Sequence, residues 1–233
     1  MEISFVNNEV IFNMIQISEN LYAVTAKGLF WVPVFVVTKN NENLTLIDTG
    51  MKNHINIVMK KITEKWGSLD KIKRIIFTHR HMDHVGGLAK LVDEIKKINP
   101  EHKIEIVIHK DEASHFANEV KRIDLQPNRF VKHEDYIDEE LNLKGIHVPG
   151  HTFGHLCLLL EKDQIMLLGD VIIWILGGLK QVIEKVHDDW NLSQKSLEIL
   201  LNYEWETGIP SHFKLKQIPR HQIENYISTI RKK

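Results

Sequence analysis

Residues 79–84 read His79-Arg80-His81-Met82-Asp83-His84, three imidazoles and a carboxylate within six positions. Neutral imidazole and carboxylate are donor types that divalent transition metals accept. His79 and His81 are two positions apart, so on an extended segment both side chains point to one side. Asp83 and His84 follow in a turn. Four donors on so short a stretch crowd a single ion. Two adjacent ions that share donors, completed by residues from elsewhere in the chain, fit them better.

Three more donor-type residues stand where apolar runs end. His151 lies in Pro149-Gly150-His151-Thr152-Phe153-Gly154-His155, Asp170 follows Ile165–Leu168 and Gly169, and His212 follows Ile209-Pro210. A paired-metal centre holds its ions about 3.5–4 Å apart and needs a bridging carboxylate; Asp170 is the candidate. Even one zinc lowers bound water to about pH 7, which supplies hydroxide without a protein base. The expected chemistry is metal-assisted hydrolysis, with Asp83 and Asp170 as the carboxylates at the reacting centre.

Such donors need rigid strand ends to hold them. Ile75-Ile76-Phe77-Thr78 reads as a buried strand leading into the cluster, and Val85-Gly86-Gly87-Leu88 leads out into a helix. Ahead of it, Ile15–Ile17, Leu21–Thr25, Val34–Thr38 and Leu44–Ile47 read as strands, the last stopping at Asp48-Thr49-Gly50. Apolar residues at 55, 58, 59, 62 and 66, and again at 88, 91, 92, 95 and 98, have helical spacing. Ile104–Ile108 reads as a strand, Lys110–Asn118 as a helix and Gln126–Asp138 as mostly loop. Leu141–Leu143 and Ile146–Val148 read as two short strands, and Leu156–Leu160 with Ile165–Leu168 as a hairpin. Val171–Leu179 is an apolar connector, and helices are expected from Asn191 to Leu201 and from Arg220 to Arg231. Strands alternating with helices fit layered α/β sheets, with one domain over residues 1–233.

Thirty basic against thirty-one acidic side chains argue against a dedicated nucleic-acid binder. No apolar stretch reaches the roughly 18 residues of a membrane span. The start Met1-Glu2-Ile3-Ser4-Phe5 has no basic segment followed by an apolar core, so the expected location is the cytoplasm. The single cysteine, Cys157, sits in an apolar run and reads as a small buried hydrophobe. The expected partner is a small-molecule substrate, and a homodimer stays open.

These residues resemble the metallo-β-lactamase fold superfamily. Residues 79–84 match its HxHxDH motif, Asp48 matches its first motif, and His151, Asp170 and His212 match the remaining ones in the family's order. The resemblance implies a four-layer αββα sandwich with the site at one edge between two sheets. It also implies one ion on His79, His81 and His151, a second on Asp83, His84 and His212, and Asp170 bridging them. Asp48 would orient a ligand, and His155 would hold a neighbour by hydrogen bond rather than bind metal. Two zinc ions are the first expectation for cofactors, with iron or manganese as alternatives.

Departures from known branches narrow the reading to a hydrolase of a small-molecule ester, lactone, thioester or phosphoester. Lactonases of this family place a tyrosine just past the bridging aspartate, where this chain has Val171-Ile172-Ile173-Trp174. About 20 residues follow His212, too few for the helical glutathione-binding domain of glyoxalase II enzymes. A persulfide dioxygenase using one iron on His79, His151 and Asp170 is the first alternative, and a non-catalytic metal-binding module the second. Phe30, Trp31, Trp174 and His187 are expected near the substrate pocket, because their loops flank these motifs.

Overall fold

A computed structural model describes residues 12–26, 32–213 and 215–231. Phe30 and Trp31 lie outside the described residues. The first sheet starts as an antiparallel meander of β1 (Phe12–Gln16), β2 (Leu21–Ala26), β3 (Val34–Val37) and β4 (Leu44–Ile47). Helix α1 (Ile55–Trp66) then crosses to β5 (Ile72–Ile76), parallel to β4. The short helix α2 (Met82–Val85) and α3 (Leu88–Ile98) lead to β6 (Glu105–His109). Helix α4 (Ala113–Glu119) leads to the edge strand β7 (Arg129–Val131); β5, β6 and β7 are all parallel.

The second sheet takes β8 (Tyr136–Asp138), β9 (Leu143–His147), β10 (Leu156–Leu160) and β11 (Ile165–Gly169) as antiparallel neighbours. A separate two-stranded ribbon follows, β12 (Ile173–Ile175) with β13 (Gly178–Lys180). Helix α5 (Trp190–Ser196) and a 3-10 stretch (Leu197–Asn202) lead to β14 (Thr207–Pro210), parallel to β11. β15 (Ile218–Pro219) and α6 (Arg220–Arg231) complete the described chain.

Side chains on a strand alternate between faces, and here the alternation sorts the core into three layers. Val34 and Val36 pack with α1 and α3, whereas Phe35 and Val37 face the other sheet. Leu156, Leu158 and Leu160 meet them from β10, whereas Cys157 and Leu159 face α6 through Ile223 and Ile227. Helices outside, two sheets within and apolar layers between them make an αββα sandwich. Cys157 is fully buried; its thiol donates to the Leu168 carbonyl at 3.3 Å, and burial pushes its pKa up.

Four local expectations change. Residues 129–131 and 136–138 are strands, but each is a three-residue edge strand, too short to show a period. Residues 141–148 hold one strand, Leu143–His147, rather than two. The connector after Asp170 folds into the β12–β13 ribbon. The α-helix opening at Trp190 stops at Ser196 and tightens into the 3-10 stretch.

Parallel pairing puts strand ends of one kind together. β4 and β5 end side by side and deliver Asp48 and residues 79–84, while β11 and β14 deliver Asp170 and His212. The β9–β10 connection brings His151 and His155 to the same edge. There the Leu156 N–H donates to the Thr78 carbonyl at 2.8 Å and ties the two sheets together.

Candidate metal centre

His79 and His81 leave β5 on extended backbone and point to one side. His79 Nε2 lies 3.1 Å from His81 Nδ1; His151 Nε2 lies 3.2 Å from the former and 3.0 Å from the latter. The three ring centroids are each 4.7 Å apart, and the rings meet edge-on at 82–88°. A closed triangle of ring nitrogens cannot be satisfied by hydrogen bonds. Each neutral imidazole nitrogen is a donor or an acceptor, never both, so at least two of the three are alike. One cation at the centre satisfies all three. Nitrogens bound to a tetrahedral zinc stand about 3.3–3.4 Å apart, close to the spacing found. Burial holds the His79, His81 and His151 rings below the ordinary histidine range, which keeps them in the neutral, metal-binding form.

Beside this triangle lie Asp83, His84, Asp170 and His212. Asp170 Oδ2 is 2.8 Å from His212 Nε2, 3.6 Å from His151 Nε2 and 3.9 Å from His79 Nε2. Its Oδ1 lies 3.3 Å from His84 Nε2, yet both of these buried atoms lack a hydrogen-bond partner. One carboxylate therefore faces both groups of nitrogens. Asp83 Oδ2 reaches His212 Nε2 at 3.4 Å. Burial works against charge on His84 and His212, but the Asp170 carboxylate beside both, with Asp48 beside His84, raises them. Burial would raise the Asp170 carboxyl too; His212 and His84 outweigh it and hold it well below the usual range.

Supporting contacts set which nitrogen is free. His84 Nδ1 lies 2.7 Å from Asp48 Oδ2, and Thr78 donates to both Asp48 oxygens from its N–H and its hydroxyl, each at 2.9 Å. A proton on Nδ1 of His84 leaves Nε2 bare toward the site. With its own proton given to Asp48, the Thr78 hydroxyl can accept from His79 Nδ1 at 3.1 Å, which leaves that Nε2 bare too. Asp48 holds this position at φ 61°, a left-handed conformation uncommon outside glycine. His155 sits behind the centre: its Nε2 accepts the Asp170 N–H at 3.1 Å, and burial lowers its pKa to about 3. Gly169 has φ +55°, and a Cβ there would run into the His155 ring.

A cavity of about 610 Å³ opens over His81, Asp83, His151, Asp170 and His212. Its apolar wall is Ile173, Ile175, Val182, Ile183, Val186 and Phe213. Trp174, expected on this wall, faces away. Strand alternation gives Ile173 and Ile175 to the cavity, while Trp174 packs on the outer helical layer with Lys216 over its ring at 5.1 Å. His187 is not on the wall either; it packs edge-on behind His151, ring centroids 5.0 Å apart. Phe213, Ile183 and Val186 went unnoticed in the sequence because no motif marks them. Phe213 stands at a left-handed φ of 71°.

The family model described as the metallo-beta-lactamase superfamily matches residues 30–212. The chain belongs to this superfamily. Among curated members, it is 32% identical over 152 residues to beta-lactamase-like protein 2 homolog of Caenorhabditis elegans, covering 64% of this chain and 46% of that one. It is 24% identical over 180 residues to an atrochrysone carboxyl ACP thioesterase of Pseudocercospora fijiensis, covering 76% and 46%. The chain spans about half the length of the curated superfamily members it matches. Among solved structures, a metallo-beta-lactamase from Pontibacter korlensis superposes with a TM-score of 0.76 at 16% identity, over 96% of this chain and all of that one. At that identity the likeness concerns the αββα fold. Superfamily members include hydrolases, and the His and Asp groups of this chain are placed to bind metal. Among the described residues, no helix is long and apolar enough to cross a membrane.

Proposed function

We propose that this chain is a two-metal hydrolase, zinc in the first instance, acting on an ester or thioester with an apolar acyl group. The observation that carries the reading is the nitrogen triangle of His79, His81 and His151 beside Asp170, whose two oxygens face both groups of histidines. His79, His81 and His151 would hold one ion and Asp83, His84 and His212 the other, with Asp170 shared by both groups. When bound, the ions supply Lewis acidity at the substrate oxygen and a water acidified to near neutral pH.

The protein's own part is orientation and exclusion. Asp48 keeps the His84 proton on Nδ1, and His155 pins the backbone of Asp170. The apolar wall around Ile173, Ile183 and Phe213 seats the acyl group and keeps bulk water from it. Asp83 is half-buried on the cavity floor, where a proton released by the reaction can pass to solvent. A single lysine on the wall, Lys180, suits a neutral acyl group better than a phosphoester. The chain matches, over 76% of its own length, 46% of an atrochrysone carboxyl ACP thioesterase, which supports the thioester branch.

The test is metal content per chain by elemental mass spectrometry on protein purified without added metal, followed by ester, thioester and phosphoester panels. About two zinc ions with acyl hydrolysis support the proposal. One iron per chain with oxygen uptake on a persulfide replaces it with the dioxygenase.

A further inference from the structure

One guanidinium sits in the interior against two carboxylates, and neither group of metal donors includes it. Arg80 lies between His79 and His81, and its guanidinium faces away from their ring nitrogens toward Glu112 and Asp188. Its Nη2 donates to Asp188 Oδ1 at 2.6 Å and its Nη1 to Asp188 Oδ2 at 3.0 Å, a forked pair. Nη1 also reaches Glu112 Oε2 at 3.2 Å, and Glu112 is fully buried.

Both carboxylates then grip the loop that carries His151. The Gly154 N–H donates to Glu112 Oε1 at 2.8 Å and the Phe153 N–H to Asp188 Oδ2 at 2.9 Å. The Asp188 N–H returns a bond to the His151 carbonyl at 3.1 Å, and the Asp189 N–H one to Gly150 at 3.0 Å. A Cβ on Gly154 would lie 2.6 Å from Glu112 Cγ and 2.7 Å from Glu112 N, so only glycine lets the carboxylate come this close. The segment ending at Asp188 also places Ile183 and Val186 on the cavity wall. Among the described residues, Asp83, His84 and His212 make no hydrogen bond to Arg80, Glu112 or Asp188.

We propose that Arg80, Glu112 and Asp188 form a positioning unit that holds His151 in place against His79 and His81 and fixes the cavity wall to that triangle. It rests on the metallohydrolase reading above. A lysine at position 80 keeps the charge but cannot form the fork. The unit therefore predicts a loss at one ion alone, the one held by His151.

The experiment compares Arg80→Lys and Asp188→Asn with the unaltered protein and with His151→Ala. Each is loaded with zinc, challenged with graded chelator, and assayed for retained zinc; melting of the stripped protein checks the fold. In both variants one equivalent, the one missing from His151→Ala, leaves at about ten- to a hundredfold lower chelator, the usual cost of losing a hydrogen bond that orients a metal ligand. The other equivalent stays, and KM for an apolar acyl ester rises. Folded variants that keep all their zinc as the unaltered protein does, or that lose both equivalents together, overturn the proposal. An unaltered protein that takes up no zinc overturns the hydrolase reading instead, and that is measured before any variant is made.

Discussion

Among the described residues, two histidine clusters meet in opposite ways, edge-on at the candidate centre and face to face at a second. At the candidate centre, three rings stand edge-on with their nitrogens 3.0–3.2 Å apart and no arrangement of protons that suits all of them. At the second, His109 and His147 stack face to face, centroids 3.8 Å apart and 16° from parallel, with Asp111 nearby. There one nitrogen of each ring already has a partner: His109 Nδ1 accepts the Asp111 N–H at 3.3 Å, and His147 Nε2 donates to the Phe153 carbonyl at 2.8 Å. Stacked rings send their lone pairs along parallel lines, whereas edge-on rings send them to a point. Direction, more than nearness, separates a metal centre from a packed pair of histidines.

The sharpest way to break this contrast is to remove one ring or carboxylate from each cluster. His79→Ala or Asp170→Ala should cut turnover by several orders of magnitude while the chain still folds, since these donors act as one unit. His147→Phe, which keeps the stack and removes both nitrogens, should leave zinc content and turnover within about twofold. Metal loss on His147→Phe would end the contrast.

Acid sharpens it from the other side. Burial, with His147 second, lowers His109 to about 4, so the folded protein keeps that ring neutral while the unfolded chain takes up a proton below about 6.5. Stability from this ring is whole above that value and is lost as pH falls toward the folded value, by at most about 3 kcal/mol. Urea unfolding between pH 7 and 4 should show the fall, to which the other buried, lowered histidines add, and His109→Asn should make it shallower by this ring's share.

Next in size is Gly169→Ala. A methyl group there meets the His155 ring at a left-handed backbone position, for a loss of about 2 kcal/mol in urea unfolding. Unchanged stability would mean that Asp170 is not held from behind. The smallest effect tests direction on two neighbouring apolar residues. Ile173→Ala should raise KM for an apolar acyl ester by about tenfold, and Trp174→Ala should spare KM and lower the melting temperature instead.

Much of this was legible in the sequence, for physical reasons that differ by residue. The layers follow from strand alternation: Leu156, Cys157, Leu158 and Leu159 change sides one by one. The meeting of His79, His81, His151, Asp170 and His212 was legible because each ends or follows an apolar run, and strand ends gather at a sheet edge. Trp174 and His187 were misplaced, since adjacency to a motif does not say which way a side chain turns. Arg80, Glu112 and Asp188 were invisible as a group. Glu112 and Asp188 are 32 and 108 residues from Arg80, and charged residues at such separations carry no mark of being buried together.

The tie between Leu156 and Thr78 has a consequence for folding order. Asp48 and residues 79–84 come from the first sheet; His151, Asp170 and His212 come from the second. A chain with only its first sheet formed presents His79 and His81 without His151, and Asp83 and His84 without Asp170. Contacts 70 or more residues apart close slowly, so on the proposed reading an ion would be captured late, once the two halves have met.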